Sequence, residues 1–361
     1  MTFVKNVWYV AAHAHELDDA DNRGMVGRTI AGEAVVLFRK SDGGIAALED
    51  RCPHRFVPLS MGRRDGDQVR CGYHGLAFDA SGACSDAPND SEEQRQRICV
   101  RSFVAVERYA MVWLWLGEPD LADEALIPAF DFITDPNYAV ARGLSHFKAN
   151  YQMLADNLLD LSHVHYLHPG VHEGSNFADF TNKVKLEGDT VYSMLWRHHY
   201  KIDERRRVMQ GFADTDVEGQ GHSRWDAPGN ILVDTAFWDH GKSIDDPGAS
   251  RTPSAHLLTP ETEYTTHYFW LSGRTFMQDN EAMTRATEAS MRNIFETQDG
   301  PMCEAQQRAL GETTDFLSQQ PIVLKADAAG LAARRVIKRK LRQEAGGAAV
   351  AAEAEAVEPA E

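Results

Sequence analysis

The sequence predicts an α+β protein of two domains and a short tail, and three observations carry that expectation. At 361 residues the chain exceeds a usual single domain, so two cores are expected. From residue 34 to about 116 short apolar runs alternate with Gly, Asp and Ser turns, the pattern of a small antiparallel all-β domain. Beyond Gly117-Glu118-Pro119-Asp120 the pattern changes to helical stretches mixed with longer strands, an α+β domain with an antiparallel sheet. The boundaries are drawn at 1–118, 119–344 and 345–361.

In the first segment, Ala34 to Arg39 and Ile45 to Leu48 form a hairpin around the turn Ser41-Asp42-Gly43-Gly44. Val69 to Cys71 and Leu76 to Phe78 flank a loop, and Asp79-Ala80-Ser81-Gly82 turns the chain again. Val100 to Glu107 and Met111 to Leu116 complete the set, with Trp113 and Trp115 on one face by the two-residue period.

In the second segment a helical stretch is expected around Ala149 to Tyr166. Strands are expected at Val191 to Tyr200, Ile231 to Trp238, Ser254 to Leu258 and Tyr264 to Leu271, and a helix from about Asn280 to Leu310. Ile202 to Gly221, polar and carrying Arg205-Arg206-Arg207, is expected to be a mobile loop over whatever the sheet encloses, and Gly241 to Pro253 reads similarly. Residues 326–344 are expected to form a C-terminal helix whose exposed face carries Arg334, Arg335, Lys338, Arg339, Lys340 and Arg342, a solvated face by default with a docking surface for an acidic partner as the alternative. Residues 345–361 are Ala, Gly and Glu with almost nothing to bury, and are expected to be disordered.

Composition excludes several classes of partner. A formal charge of -17 argues against nucleic acid and against an anionic membrane surface, since a phosphate binder needs clustered positive charge. Apolar residues at 43% and charged residues at 25% are ordinary globular values. The N-terminus has no basic segment leading into an apolar run, and nothing downstream approaches a membrane span. Five cysteines, two of them in the constellation described next, are too few for a disulfide framework, so a reducing, cytoplasmic compartment is expected.

Cys52-Pro53-His54 and Cys71-Gly72-Tyr73-His74 place one thiolate and one imidazole on each of two loops. A tetrahedral zinc is one occupant such a set admits. The order Cys before His in both loops, the two internal spacings and the Pro and Gly-Tyr fillers resemble a Rieske [2Fe–2S] centre, in which two cysteines bind one iron and two histidines the other. Neutral imidazoles in place of two thiolates raise the potential, and such a centre passes single electrons. The resemblance thus makes Cys52, His54, Cys71 and His74 the cluster ligands.

A second constellation runs from Asp156 to His168, with two carboxylates and three imidazoles in thirteen residues. Two histidines and one carboxylate can hold a mononuclear iron with open positions. By spacing, His163 and His168 are five apart and converge only where a helix widens, kinks or ends, as Pro169-Gly170 would allow. His165 and His168, three apart, share a face of a regular helix and are the alternative. Asn157 to His168 resembles the Asn-Leu-x-Asp-x-x-His-x-x-x-x-His motif of the Rieske non-heme iron oxygenases, which makes His163 and His168 the ligands. It also makes Asp160 the acid joining a cluster histidine of one subunit to an iron histidine of the next. The third ligand implied is Asp299 in Phe295-Glu296-Thr297-Gln298-Asp299. Gly300-Pro301 behind it reads as a helix break, and Glu296 and Glu304 are alternatives.

The resemblance covers nearly the whole chain, including the Asn-x-Trp-Tyr-Val-Ala run within Phe3 to Ala11, the Arg-Cys-Pro-His-Arg loop and Leu258 to Thr262. It is strongest to vanillate O-demethylase oxygenase subunits and related monooxygenases acting on methoxylated or methyl-substituted aromatic acids. It implies an N-terminal all-β Rieske domain, a C-terminal helix-grip catalytic domain and a ring of three subunits. The cofactors implied are a [2Fe–2S] cluster, mononuclear Fe(II), O2, and NADH or NADPH acting through a separate reductase, with or without a ferredoxin. Ring hydroxylation and N-demethylation are alternative reactions. A Rieske electron carrier fused to a hydrophobic-ligand-binding module, lacking the second iron, is the alternative of another class. For the substrate, His256 and Asn150 are candidate contacts, and Trp270 and Trp238 candidate walls, although aromatic residues on strands are more often core.

Overall fold

The computed structural model describes residues 3–18, 23–88, 90–168 and 180–346. The expected disorder of 345–361 falls outside them for all but Ala345 and Gly346, as does the helix-ending role of Pro169-Gly170. Ten strands precede residue 118: β1 (Trp8–His13), β2 (Met25–Ile30), β3 (Glu33–Arg39), β4 (Ile45–Glu49), β5 (Arg63–Asp65), β6 (Gln68–Arg70), β7 (Ala77–Asp79), β8 (Cys84–Asp86), β9 (Ser102–Arg108) and β10 (Met111–Trp115), with a one-turn helix α1 (Glu92–Arg95) after β8. They form a six-stranded antiparallel sheet in the order β1-β10-β9-β4-β3-β2 and a four-stranded sheet β5-β6-β7-β8. The apolar runs read as strands are the buried ones: Val35 to Phe38 and Met111 to Trp115 are fully enclosed.

The second region holds β11 (Ala139–Phe147), α2 (Tyr151–Leu159), α3 (Val164–Leu167), β12 (Phe180–Glu187), β13 (Thr190–Lys201), α4 (Glu204–Gln210), β14 (Asp216–Asp226), β15 (Asn230–Asp239), β16 (Ser250–Thr262), β17 (Thr265–Arg274), α5 (Glu281–Ile294), α6 (Gly300–Leu310) and α7 (Ala328–Ala345). Its seven strands form one antiparallel sheet, β11-β17-β16-β15-β14-β13-β12. One face carries Ala255, Leu257, Phe269 and Leu271 against Trp8, Val10 and Trp113 of the first sheet. The other, here called the inner face, carries Val191, Trp225, Ile231 and Trp270 against α2, α7 and Phe295.

Two expected loops are ordered elements. Ile202 to Gly221 contains α4 and half of β14. Its polarity misleads because Gly219 and Gly221 are dictated by close packing: a Cβ at Gly219 would stand 2.6 Å from the Phe237 ring, and one at Gly221 2.5 Å from the Arg197 guanidinium. Gly241 to Pro253 is a loop only as far as Ala249, after which β16 begins. The C-terminal helix is also not solvated along its whole basic face. Arg334 is buried and paired with Asp156 at 2.6 Å, and Arg339 and Lys340 both pair with Asp189, leaving Arg335, Lys338 and Arg342 exposed.

Gly300-Pro301 does not break the late helix. α5 and α6 run on through a widened turn, Phe295–Asp299, in which the Gly300 N–H reaches back five residues to the Phe295 carbonyl. Where five-residue spacing returns to four-residue spacing one carbonyl loses its donor, and Pro301, which has no N–H, stands at that step at little cost. Gly300 is needed because a Cβ there would lie 2.3 Å from the Phe147 ring.

The two regions share hydrogen bonds as well as apolar contacts. Ala31 N–H donates to the Pro260 carbonyl at 2.6 Å, and the Thr259 hydroxyl to the Val10 carbonyl at 2.7 Å. His13 and His267 also bridge them, each donating its Nε2–H across the contact at 3.2 Å, to the Gly143 and Thr29 carbonyls. Among the described residues no helix is long and apolar enough to cross a membrane.

Burial holds both His13 and His267 neutral, each pushed down to about 4. A base whose folded value lies below its unfolded value contributes stability that is present above about pH 6.5 and is lost as the pH falls toward the folded value, at about 1.4 kcal/mol per pH unit for each histidine. Urea melts between pH 7 and pH 4.5 should therefore show a shallower loss of stability in His13→Gln than in the unaltered protein, by about one proton's slope. Equal slopes would show that His13 is not held neutral.

Candidate functional site

The two cysteine-histidine loops are built alike. In each, the Cys N–H donates to the carbonyl of the residue five further on, Val57 or Leu76, and the Cys carbonyl accepts from the residue four further on, Phe56 or Gly75. That fourth residue is left-handed in both, at φ 61° and 80°, as a turn this tight demands. Cys52 and Cys71 are buried, and burial, reinforced by the hydrogen bond between the two thiols, raises the Cys52 thiol above its ordinary value. His54 and His74 are exposed with ring centroids 4.3 Å apart. Two enclosed sulfurs beside two solvent-facing imidazoles fit a cluster whose cysteine-bound iron is inside and whose histidine-bound iron faces out.

The second constellation is resolved by a change of backbone. α2 stops at Leu159, and a 3-10 turn, Leu161–His163, leads into the single turn α3, of which His168 is the C-terminal cap. The break lets residues five apart converge. Asp299, on the widened turn after α5, stands 3.4 Å from His163 Nε2 and 3.4 Å from His168 Nε2 through the same oxygen, Oδ1. His165 is outside this group, so the alternative pairing of His165 with His168 is not the one assembled. The other ring nitrogens are committed: His163 Nδ1–H donates to the Asp160 backbone carbonyl at 2.6 Å and His168 Nδ1–H to Gln298 Oε1 at 2.7 Å. Each Nε2 is thereby left to face the carboxylate, the tautomer that a metal ligand requires. Burial alone would raise Asp299, but the two imidazoles outweigh it and hold the carboxyl down at about 2. His168 is raised, chiefly by its hydrogen bond to Asp299. A carboxylate and two directed imidazole nitrogens in a largely buried pocket fit a mononuclear iron with positions left open.

The other carboxylates considered are occupied elsewhere. Glu296 accepts from the Ser145 hydroxyl at 2.8 Å and pairs with Arg292, and Glu304 accepts from the Lys148 N–H at 3.0 Å. Asp160 caps the 3-10 turn, its Oδ1 accepting from Ser162 N–H at 2.9 Å. His256 is buried, held by Ser254 at 2.8 Å and Tyr268 at 2.6 Å, with its ring against Phe295, and burial pushes it down to about 4. Asn150 caps α2 through Gln152 N–H and donates to the Glu263 carbonyl at 2.8 Å, so both ends of its amide are engaged within the fold. Trp270 is fully buried core on the inner face, while Trp238, half-buried, pairs with Glu218 on the opposite parity.

Two contributors were not singled out from sequence. Asn157 donates to Asp299 Oδ1 at 3.2 Å, and Gln298 orients His168. Asn157 lies within the motif but on a helix face without other signal, and Gln298 reaches His168 beside Asp299 only because the turn is widened. A second cluster, His199, Glu218 and His240, is largely exposed. Both nitrogens of His240 face carboxylates at 2.9 Å, Asp216 and Glu218, and Lys201 also pairs with Asp216.

A strand-rich metal module joined to a helix-gripping sheet that carries a two-histidine, one-carboxylate group defines an electron-fed oxygenase. Residues 7–107 match the Rieske [2Fe-2S] domain and residues 147–343 the vanillate O-demethylase oxygenase C-terminal domain. The chain is 35% identical to the oxygenase component of dicamba O-demethylase from Stenotrophomonas maltophilia, over 96% of this chain and 100% of that one. It is 34% identical to a vanillate O-demethylase oxygenase subunit from Pseudomonas sp. (strain HR199 / DSM 7063), over 97% and 99%. It is 33% identical to the iron-sulfur subunit of a toluene-4-sulfonate monooxygenase system from Comamonas testosteroni, over 96% and 99%. The crystal structure of dicamba monooxygenase bound to 3,6-dichlorosalicylic acid superposes with a TM-score of 0.85 at 32% identity, covering 96% of this chain and all of that one. The chain belongs to the Rieske non-heme iron oxygenases, as the oxygenase component of a monooxygenase. Its cofactors are a [2Fe–2S] cluster and a mononuclear non-heme iron.

Asp299→Ala should lower the iron content of the purified protein from about three to about two per chain with the cluster absorbance intact. Gln298→Ala should weaken retention of the mononuclear iron on the order of 10- to 100-fold, measured by competition with a chelator. An unchanged iron count in Asp299→Ala would remove Asp299 from the ligand set.

Proposed function

We propose that the protein hydroxylates, with O2, a methoxy or methyl carbon of an aromatic acid, O-demethylating methoxylated substrates. The observation that carries this reading is the convergence of His163, His168 and Asp299 beside an enclosed sheet, in a chain that also has the cluster loops. The relatives named for dicamba, vanillate and toluene-4-sulfonate supply the substrate class: each of those names is an aromatic acid. Electrons come from NADH or NADPH through a separate reductase, with or without a ferredoxin. When bound, the iron supplies the open coordination positions and the redox change that O2 activation needs.

The chain's own residues do the rest. Asp160 and Gln298 fix the two ligand imidazoles by their Nδ1–H groups, and Asn157 holds Asp299 Oδ1. His54 and His74, exposed, present the outer edge of the cluster to a neighbour. We assign the chain to a ring of three subunits in which Asp160 joins a cluster histidine of one subunit to an iron histidine of the next, its backbone carbonyl holding His163 Nδ1–H and its carboxylate turned to the neighbour's cluster histidine. The cluster module is taken as 1–118 and the iron module as 119–344, and five unpaired cysteines suit the cytoplasm. For a methoxy substrate, O2, two electrons and two protons give the hydroxylated carbon and water, and the resulting hemiacetal collapses to a phenol and formaldehyde.

With a reductase and NADH, a panel of methoxybenzoates should include at least one that yields formaldehyde in step with O2 consumption. In Asp160→Ala the cluster signal and iron content should persist while coupled turnover falls on the order of 10- to 100-fold. A hydroxylated ring without formaldehyde, across the panel, would replace demethylation with ring hydroxylation.

A further inference from the structure

The inner face of the sheet carries a cation that none of the described residues neutralises. Arg197 lies on the same face of β13 as Val191, three two-residue steps along the strand, and is 6% exposed. Among the described residues no carboxylate is within salt-bridge distance. Among the same residues its only hydrogen bond is from Nη1 to the Gln220 carbonyl at 2.6 Å, and its buried Nε has no partner. The guanidinium lies over Gly221, where a Cβ would stand 2.5 Å from it, and is flanked by the rings of Phe237 at 5.7 Å and Tyr200 at 5.8 Å. A second guanidinium, Arg206 of α4, lies over the Phe237 ring at 4.4 Å, has no ion pair among the described residues, and adds positive charge to the same corner.

A buried guanidinium without a counter-ion is costly, and such groups are ordinarily paired. It is tolerated where something else supplies the anion. The floor leading to it points to a ligand as well. Between the row of His256, whose ring touches the turn that carries Asp299, and the row of Arg197, the inward positions include Ser254, Ser223, Thr235 and Gly221. The hydroxyls of Ser223 and Ser250 are buried there without partners, as is Arg197 Nε. A run of small residues and unsatisfied donors from the metal group to an unpaired cation is what a polar, anionic guest would complete.

We propose that Arg197 binds the acid group of the substrate, a carboxylate or a sulfonate, with Arg206 reinforcing the positive field, and so sets the preference for aromatic acids over neutral arenes. A planar fork of donors suits either anion in two-point contact. The inference rests on the aromatic-acid reading above and names the residue that enforces it.

The test uses the loaded protein, with cluster and iron verified, and measures binding of 4-methoxybenzoate, of toluene-4-sulfonate and of the neutral amide of each by calorimetry. The unaltered protein should bind at least one acid on the order of 10- to 100-fold more tightly than its amide. Arg197→Met should abolish that ratio while leaving amide binding and both metal signals unchanged. Arg197→Lys, which keeps the charge and loses the fork, should lower acid affinity by a smaller factor with the amides unaffected. The proposal is overturned if the unaltered protein shows no preference for either acid, if the preference survives in Arg197→Met, or, should that variant fail to fold, if acid binding is undiminished in Arg197→Lys. Formaldehyde release in the same preparations separates the two claims. An Arg197-dependent acid preference without demethylation would sink the demethylase reading alone, and undiminished demethylation of acids by Arg197→Met would sink the anchor alone.

Discussion

A carboxylate oxygen held 3.4 Å from two imidazole nitrogens is the constraint around which the second region is built. Both imidazoles have spent their Nδ1–H groups on carbonyl oxygens, Asp160 O and Gln298 Oε1, so their Nε2 atoms face Asp299 with lone pairs unless a proton or a cation intervenes. Two lone pairs facing a carboxylate call for positive charge between them, and where protons on the rings supply it, their hydrogen bonds and charge hold the Asp299 carboxyl well below its usual range. Its position comes from the widened turn Phe295–Asp299, and the turn is held in register by Gly300 against Phe147. The ligands therefore depend on a backbone irregularity on each side, a broken helix for the histidines and an overwide one for the acid, and both are seated on the same inner sheet face.

The first region solves a different problem with regular means. Two loops with the same backbone hydrogen bonds, each ending in a left-handed residue, put the cysteines inside and the histidines outside. Burial of the thiols excludes water from the sulfur side, while exposed imidazoles keep the electron's exit at the surface. An electron that leaves through a surface edge needs an acceptor brought to that edge.

What was legible in the sequence follows from how local each device is. The cluster ligands sit on two short loops, Cys52 to His54 and Cys71 to His74, so residue type and spacing suffice. His163 and His168 required the family motif, because the helix break just before them, at Asp160, has no strong sequence mark. The reading of Gly300-Pro301 as a helix stop used a sound rule in the one setting that suspends it, a turn where a missing N–H and a missing Cβ are both wanted. β14 was hidden for a related reason: Gly219 and Gly221 lower strand propensity, and only the neighbours Phe237 and Arg197 explain them. Residue type alone makes Asn150 a candidate substrate contact, whereas its place one residue before a helix is a capping position. Arg334 joined a run of exposed bases by composition, yet helical periodicity turns it inward to Asp156.

Charge distribution connects these parts. A chain of formal charge -17 repels small anions, but at physiological salt that repulsion is screened beyond about 8 Å. Selection for an acid must then be made at short range, inside the fold, by a cation that the protein has not already neutralised. The surface cations of α7 and the network around Asp216 are largely paired or solvated, and cannot discriminate a guest on the inner face. Arg197 differs in both respects, being enclosed and without an acid partner among the described residues, and its guanidinium lies against backbone and aromatic rings that leave it little room to swing out to water. Retaining an unpaired charge there lowers the stability of the empty fold, and a preference for anionic guests is the compensating gain that such a position can supply.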